Sequence, residues 1–288
     1  MKETFRREAP AKINLALDIL GKRPDGYHAL CSIMQTVSLC DSVELAEGGE
    51  GFTLSMAGFT PPEGRKTLEQ RAAEAFFARL GRVMPPLTVR ITKRTPAYAG
   101  LGGGSADVAA LLRILRDRYA PKMEDAALEA IGAEVGSDMP FCLRGGTALA
   151  EGRGEILTDL PPLPDCWIVL CKPPFPIPTP MLFARADSVA IRHRPDIPGM
   201  RRALENGDLE GVAGRLGNVF EEVLPPECGA VFTIRDALLA AGALGAGMSG
   251  SGPTVFGIFR EEGLARAAQK KTLPLGESYA VRPLGKLT

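Results

Sequence analysis

The sequence predicts an α+β protein of two domains, and three observations lead there. A chain of 288 residues is long enough to bury two hydrophobic cores. The last third alternates in the order strand, helices, strand, helix, strand, the pattern of a small layer with helices on one face. Between it and the first half lie Pro161, Pro162 and Pro164, a cluster that suits a linker. The expected division is 1–160 and 161–288.

The elements follow from periodicity. Ile13, Leu15, Leu17 and Ile19 alternate as one side of a half-buried strand. Pro24-Asp25-Gly26 is a turn, and further strand-like chain runs from Tyr27 to about Met56. Leu68, Ala72, Ala75, Phe76 and Leu80 form a helical stripe over 67–80 that Gly81 ends. A short strand spans Leu87 to Thr92. Helices are expected from about Ser105 to Tyr119 and from about Glu124 to Val135. Gly136-Ser137-Asp138 then leads through a short turn to a strand near Thr147 to Glu151. Beyond the prolines the expectation is strand 167–170, helices within 179–217, helix 229–241, strand 254–259, helix 262–271 and strand 278–283.

Composition narrows the function classes. Lys plus Arg equals Asp plus Glu at 34 each, so no global charge draws the chain to nucleic acid or to a membrane. No apolar run reaches the ~18 residues that span a bilayer, and Met1 to Pro10 is charged, without the apolar core of a secretory leader. The six cysteines form no C-x-x-C pair and have no histidine at zinc spacing. A reducing cytoplasm is the expected compartment.

The most informative segment is Pro96-Ala97-Tyr98-Ala99-Gly100-Leu101-Gly102-Gly103-Gly104-Ser105-Ala106-Asp107. Four glycines within five residues let backbone amides approach a ligand closely. The helix that follows aims its unpaired N–H groups and positive dipole end at the same place. That combination suits a polyphosphate. No Gly-Lys-Ser/Thr follows, so this is not a Walker A loop. The Ser105 hydroxyl is expected to cap the helix or to reach a phosphate or Mg²⁺. A second cluster, Gly245 to Gly252, contains G-x-G-x-x-G, but a helix precedes it and a strand follows it. A dinucleotide fingerprint needs the reverse order. The segment is expected to be a glycine-rich turn near the nucleotide loop or substrate.

Lys12 and Asn14 project from one face of their strand, opposite Ile13 and Leu15. On spacing alone Lys12 reads better as a solvated edge charge than as a site residue, and Asp138 suits a helix cap, a role that can coexist with one in a site.

Taken in order, Pro-Ala-Lys-Ile-Asn-Leu (10–15), Gly-Leu-Gly-Gly-Gly-Ser (100–105), Gly-Ser-Asp-Met-Pro-Phe (136–141) and Met-Ser-Gly-Ser-Gly-Pro (248–253) resemble the signature of the GHMP kinases. Arg23-Pro24-Asp25-Gly26-Tyr27-His28 and Ala150-Glu151-Gly152-Arg153-Gly154-Glu155 resemble the branch that acts on a cytidine diphosphate alcohol in isoprenoid precursor synthesis. The resemblance runs from about Ala9 to about Phe259. It implies an N-terminal domain like ribosomal protein S5 domain 2 and a ferredoxin-like C-terminal domain. It also implies ATP as phosphoryl donor with Mg²⁺, whose direct ligands it does not specify. Lys12 and Asp138 match the catalytic pair, and the segment Pro96 to Ala106 the ATP loop. Tyr27 matches a residue that stacks on cytosine and His28 one that helps read the base edge. Asn14, Phe183, Gly250 and Ser251 match substrate-side positions. The partner implied is a small molecule; nothing in the sequence sets an oligomeric state.

Three positions depart from the family pattern. Tyr98 stands where glycine is usual, Ala106 where a second serine is usual, and Thr67-Leu68 where Asn-Leu often lies near adenine. Two other readings stay open on the residues alone: a GHMP kinase for homoserine, mevalonate or a sugar, and a nucleotide-binding relative with little turnover.

Overall fold

The computed structural model describes residues 3–57 and 65–287. The chain opens with two long antiparallel strands, β1 (Thr4–Lys22) and β2 (His28–Glu47), paired along almost their whole length. Their hairpin turn is fastened by Arg23 N–H donating to Tyr27 O at 2.7 Å and by Asp25 Oδ1 accepting from Tyr27 N–H at 3.1 Å. Short β3 (Phe52–Met56), α1 (Leu68–Arg79) and β4 (Leu87–Thr92) follow. Thr67 caps α1 by accepting from Gln70 N–H, a helix-capping role that accounts for this residue without any ligand.

Next come α2 (Gly103–Tyr119), α3 (Asp125–Val135), α4 (Met139–Arg144), β5 (Thr147–Gly152) and β6 (Ile156–Asp159). α4 corrects the expectation of a mere turn after Asp138. Its six residues are too few to show helical periodicity, yet Pro140 in its first turn suits a helix start. β2 is long enough to be shared: its C-terminal half pairs β4 and its N-terminal half pairs β5.

The rest comprises β7 (Trp167–Lys172), α5 (Thr179–Ser188), α6 (Ile197–Glu205), α7 (Leu209–Ala213), β8 (Gly217–Asn218), α8 (Ala230–Ala240), β9 (Gly245–Met248), β10 (Val255–Phe259), α9 (Glu262–Thr272) and β11 (Glu277–Val281). β9 corrects a second expectation. Residues 245–248 are not turn but an edge strand on β10, and only the chain after Met248 loops. Glycine and alanine lack the side-chain signal of a strand, so nothing in the sequence marked it.

Two sheets result. One runs β3-β4-β2-β1-β8, with β5 and β6 continuing from the other half of β2; the second is β11-β7-β10-β9, all antiparallel. The second sheet is buried on both faces, which is why 167–171 and Val255–Phe259 read as unbroken apolar runs. Val169, Cys171, Val255 and Phe259 pack with Ile234, Leu238, Ala265 and Ala268 of α8 and α9. On the opposite face Ile168, Leu170, Phe256 and Ile258 pack with Ile13, Leu15, Ile33 and Val37 of the first sheet. The far side of the first sheet carries α1 to α4, with Phe76, Leu111, Leu115 and Ile131 against Val43, Leu45 and Val89. Among the described residues no helix is long and apolar enough to cross a membrane.

Candidate active site

The loop between β4 and α2 is fixed at three consecutive carbonyls. Ala99 O accepts from Thr254 N–H at 3.3 Å, Gly100 O from the Ser249 hydroxyl at 2.9 Å, and Leu101 O from Lys12 N–H at 2.9 Å. Ala99, Leu101 and Ala106 turn their side chains into the core. Gly102 takes a left-handed conformation at the N-cap, φ +67°, and the first helical bond runs from Ala106 N–H to Gly102 O. The amides of Gly103, Gly104 and Ser105 therefore precede the helical ladder, where a helix leaves its N–H groups unpaired. α2 begins two residues earlier than expected, so Ser105 is its third residue rather than its cap, and its side chain lines the central cavity. Tyr98 has φ +52° and is the one non-glycine residue with positive φ among those described. At 81% exposure its ring gains little from packing, so the ~1–2 kcal/mol of left-handed backbone strain is held by the anchored loop around it.

β1 carries the lysine to this loop. Lys12 is 4% exposed, and an ammonium so buried requires partners. It has two: Asn14 Oδ1 at 2.8 Å and Asp138 Oδ2 at 3.1 Å. Asn14 Nδ2 in turn donates to Ser32 Oγ at 2.8 Å, and Ser32 Oγ donates to Ala16 O at 2.6 Å. Lys12 is thus not an edge charge. Asp138 occupies the N-cap position of α4, yet its side chain makes no capping bond and points at the lysine instead.

Lys12, Asn14, Asp138, Tyr98, Gly100, Gly102 and Ser105 line one cavity of about 970 Å³, together with Tyr27, His28, Phe183, Gly250 and Ser251. Pro96, Ala97, Gly103 and Gly104 are not part of its lining. At the far end of the cavity Phe183 of α5 stacks on His28, with centroids 4.6 Å apart and planes at 19°. His28 Nε2 meets Asp187 Oδ1 at 2.7 Å, and that hydrogen bond holds the Asp187 carboxyl below the usual carboxylate range. Phe183 therefore gives one ring face to His28. Tyr27 is 55% exposed.

Two supporting groups escaped the sequence reading. Asn218, on the two-residue strand β8, donates to Met248 O and Gly250 O, both at 2.8 Å, while Glu221 Oε1 accepts from Met248 N–H at 2.9 Å. Ser249 accepts from Asn14 N–H at 3.2 Å and donates to Gly100 O, so one buried hydroxyl ties the glycine loop after β9 to β1 and to the loop before α2. The only signal for Asn218 was a polar residue inside an otherwise apolar segment.

The second group lies behind α2. Lys93 donates to Asp41 and, at 2.6 Å, to Asp107; Asp41 also accepts from the Thr95 amide at 2.7 Å. Burial pushes the Asp107 carboxyl up to about 7 against the pull of Lys93, with Asp41 adding repulsion. Asp107 Oδ1 is buried with no hydrogen-bond partner, and an orphaned oxygen costs less on a neutral acid than on an anion. An acid whose folded pKa is raised stabilises the fold below its ordinary pKa and loses that contribution as pH rises towards the folded value. Wild-type protein should therefore lose stability relative to Asp107→Asn between about pH 4 and pH 7 and run parallel to it above. Urea midpoints of both proteins across this range measure it; parallel curves throughout would rule the protonated Asp107 out.

Residues 67–146 match the GHMP kinases N terminal domain and residues 200–272 the GHMP kinases C terminal domain. The chain is 44% identical over 251 residues to the 4-diphosphocytidyl-2-C-methyl-D-erythritol kinase of Pelotomaculum thermopropionicum, covering 87% of each. It is 39% identical to the enzyme of the same name from Geobacillus kaustophilus, covering 97% of each. A crystal structure of 4-(cytidine 5′-diphospho)-2C-methyl-D-erythritol kinase superposes with a TM-score of 0.80 at 30% identity, over 98% of this chain and all of that one. A homoserine kinase from Cytophaga hutchinsonii, 18% identical with a TM-score of 0.77 over 99% of this chain and 96% of that one, shares the fold. With such identity to relatives over most of its length, the chain belongs to the 4-diphosphocytidyl-2-C-methyl-D-erythritol kinase family of GHMP kinases, and is an ATP-dependent small-molecule kinase.

Proposed function

We propose that this kinase phosphorylates the 2-hydroxyl of 4-(cytidine 5′-diphospho)-2-C-methyl-D-erythritol in the non-mevalonate route to isoprenoid precursors, with Asp138 as general base and Lys12 as its electrostatic partner. The observation that carries the reading is the 3.1 Å contact between Lys12 Nζ and Asp138 Oδ2 in the cavity that also holds the glycine loop. An alcohol is a weak nucleophile at neutral pH. A carboxylate within hydrogen-bond reach takes its proton as the new P–O bond forms, help worth about 10²–10⁴-fold. The Lys12 ammonium offsets negative charge gathering on the attacking oxygen and the transferred phosphoryl group. The amides of Gly103, Gly104 and Ser105 receive the triphosphate at the positive end of α2. Because phosphoryl transfer is loose, holding donor and acceptor in line matters as much as base strength.

Mg²⁺ fits as an ion that arrives with the triphosphate. Among the described residues no group of three or more His, Cys, Asp or Glu could hold a metal, and Mg²⁺ takes most of its ligands from phosphate and water. Ser105, whose side chain lines the cavity in the first turn of α2, is the oxygen donor that would hold it on the protein side, where it would neutralise charge on the triphosphate. Residues 1–160 supply Lys12, the loop and Asp138 in this reading, and 161–288 supply Phe183, Gly250 and Ser251. Six free cysteines suit a cytoplasmic setting.

A coupled ADP-release assay over a short panel tests the proposal. Turnover is expected with the cytidyl diphosphate alcohol and at least about a hundredfold less, in kcat/KM, with homoserine or mevalonate, which cannot fill the aromatic end of the cavity. Equal turnover with those acceptors would move the assignment to another GHMP kinase.

A further inference from the structure

The proposed substrate carries two phosphates between its base and its reacting alcohol, and they need a counter-charge. Lys12 and Arg153 are the lysine and arginine that line the cavity. Lys12 is already engaged by Asp138 and Asn14. Arg153 is not engaged in the same way. It sits on the turn between β5 and β6, held by its own backbone N–H donating to Glu155 Oε2 at 2.6 Å. Its guanidinium lies over the Tyr27 ring at 5.0 Å and is ion-paired with Glu155, whose Oε1 lies 3.6 Å from Nε, and its charge also reaches the Asp25 carboxylate. The guanidinium makes no hydrogen bond to the described residues. A guanidinium stacked on a ring keeps its in-plane N–H fork available for an oxyanion.

Position agrees with charge. Arg153 touches Tyr27 at the aromatic end of the cavity, and the next residue, Gly154, directs its Cβ position to 3.9 Å from Asp138 Oδ1. Arg153 therefore stands between the base end and the reacting end, where the diphosphate of such a substrate must lie.

We propose that Arg153 is a substrate-binding residue that pairs with the diphosphate of the acceptor substrate while backing the Tyr27 ring. The inference rests on the cytidyl reading above, and a ligand series separates the two. Binding of cytidine, CMP and CDP is measured calorimetrically on the full chain and on Arg153→Gln and Arg153→Lys. Wild type should bind CDP more tightly than cytidine. Arg153→Gln should weaken CDP by about 10- to 100-fold, the range of a charge-assisted hydrogen bond to a buried anion, and leave cytidine within about threefold. Arg153→Lys should recover part of the CDP affinity, because the charge returns without the fork. ATP binding by each variant reports that the fold is intact. Equal losses for cytidine and CDP would reduce Arg153 to a support for Tyr27 and overturn the proposal, as would unchanged CDP affinity. Wild-type protein that binds none of the three ligands would overturn the cytidyl reading, and this inference with it.

Discussion

Asp138→Asn is expected to cut kcat by about 10²–10⁴-fold, the usual worth of a positioned general base, with ATP KM changed by less than about threefold. The substitution is nearly isosteric, and the new amide can still offer its carbonyl oxygen to Lys12, so the ammonium keeps an acceptor there besides Asn14. What is lost is the oxygen able to take a proton. Lys12→Met should act on the same step through charge. It removes the cation from the attacking oxygen but also strips Asp138 and Asn14 Oδ1 of their partner, so activity and thermal midpoint should both fall, whereas Asp138→Asn should lower activity alone. Measured together, kcat and thermal midpoints separate chemistry from folding. A kcat for Asp138→Asn within tenfold of wild type would show that orientation alone carries the reaction and that Asp138 is no base.

The sequence showed where these groups are but not why they meet. Periodicity placed α1, α2 and α3 to within a few residues, because each has one apolar face against a definite neighbour, and apolar runs placed β7 and β10, whereas β1 begins at Thr4, well ahead of the Ile13–Ile19 alternation that marked it. It missed α4, too short for a period to show, and β9, whose glycines and alanines carry no strand signature. At the site, the spacing of Lys12 and Asn14 put them on one face, yet only tertiary structure buries that face beneath α2 and brings Asp138 to 3.1 Å. Tyr98 is instructive. It stands where glycine is usual, and its backbone takes φ +52°, the left-handed conformation that glycine adopts without strain. Asn218, Glu221 and the Lys93 cluster went unread for the opposite reason: each acts on backbone carbonyls, backbone amides or buried carboxylates far away in sequence, and no local pattern encodes such a partner.

The largest effect on folding is expected from Gly100→Ala. In isolation the glycines of this loop suggest room for phosphate, but the structure gives Gly100 a different task. With φ +74°, its Cβ would fall 2.2 Å from Ser249 O and 3.0 Å from Gly252 N, so two backbones meet where a side chain would stand. Gly250 returns the contact, its own Cβ position lying 3.0 Å from Gly100 O. Alanine at 100 adds left-handed strain of ~1–2 kcal/mol and overpacking of ~1–3 kcal/mol, and it pries apart the loops that Ser249 joins. Stability and ATP affinity should fall together, read as a lower urea midpoint and an ATP KM raised by at least about tenfold. Gly104→Ala is the contrast, since its Cβ meets no neighbour within 4 Å and its backbone is helical. That variant should keep the wild-type midpoint and weaken ATP alone, by crowding an amide that the proposed binding mode turns towards the nucleotide. If Gly100→Ala instead left the midpoint unchanged, the two glycine loops would not be packed as one unit. The Ser249 hydroxyl could then no longer be what sets the distance between the amides proposed to bind phosphate and the Lys12–Asp138 pair.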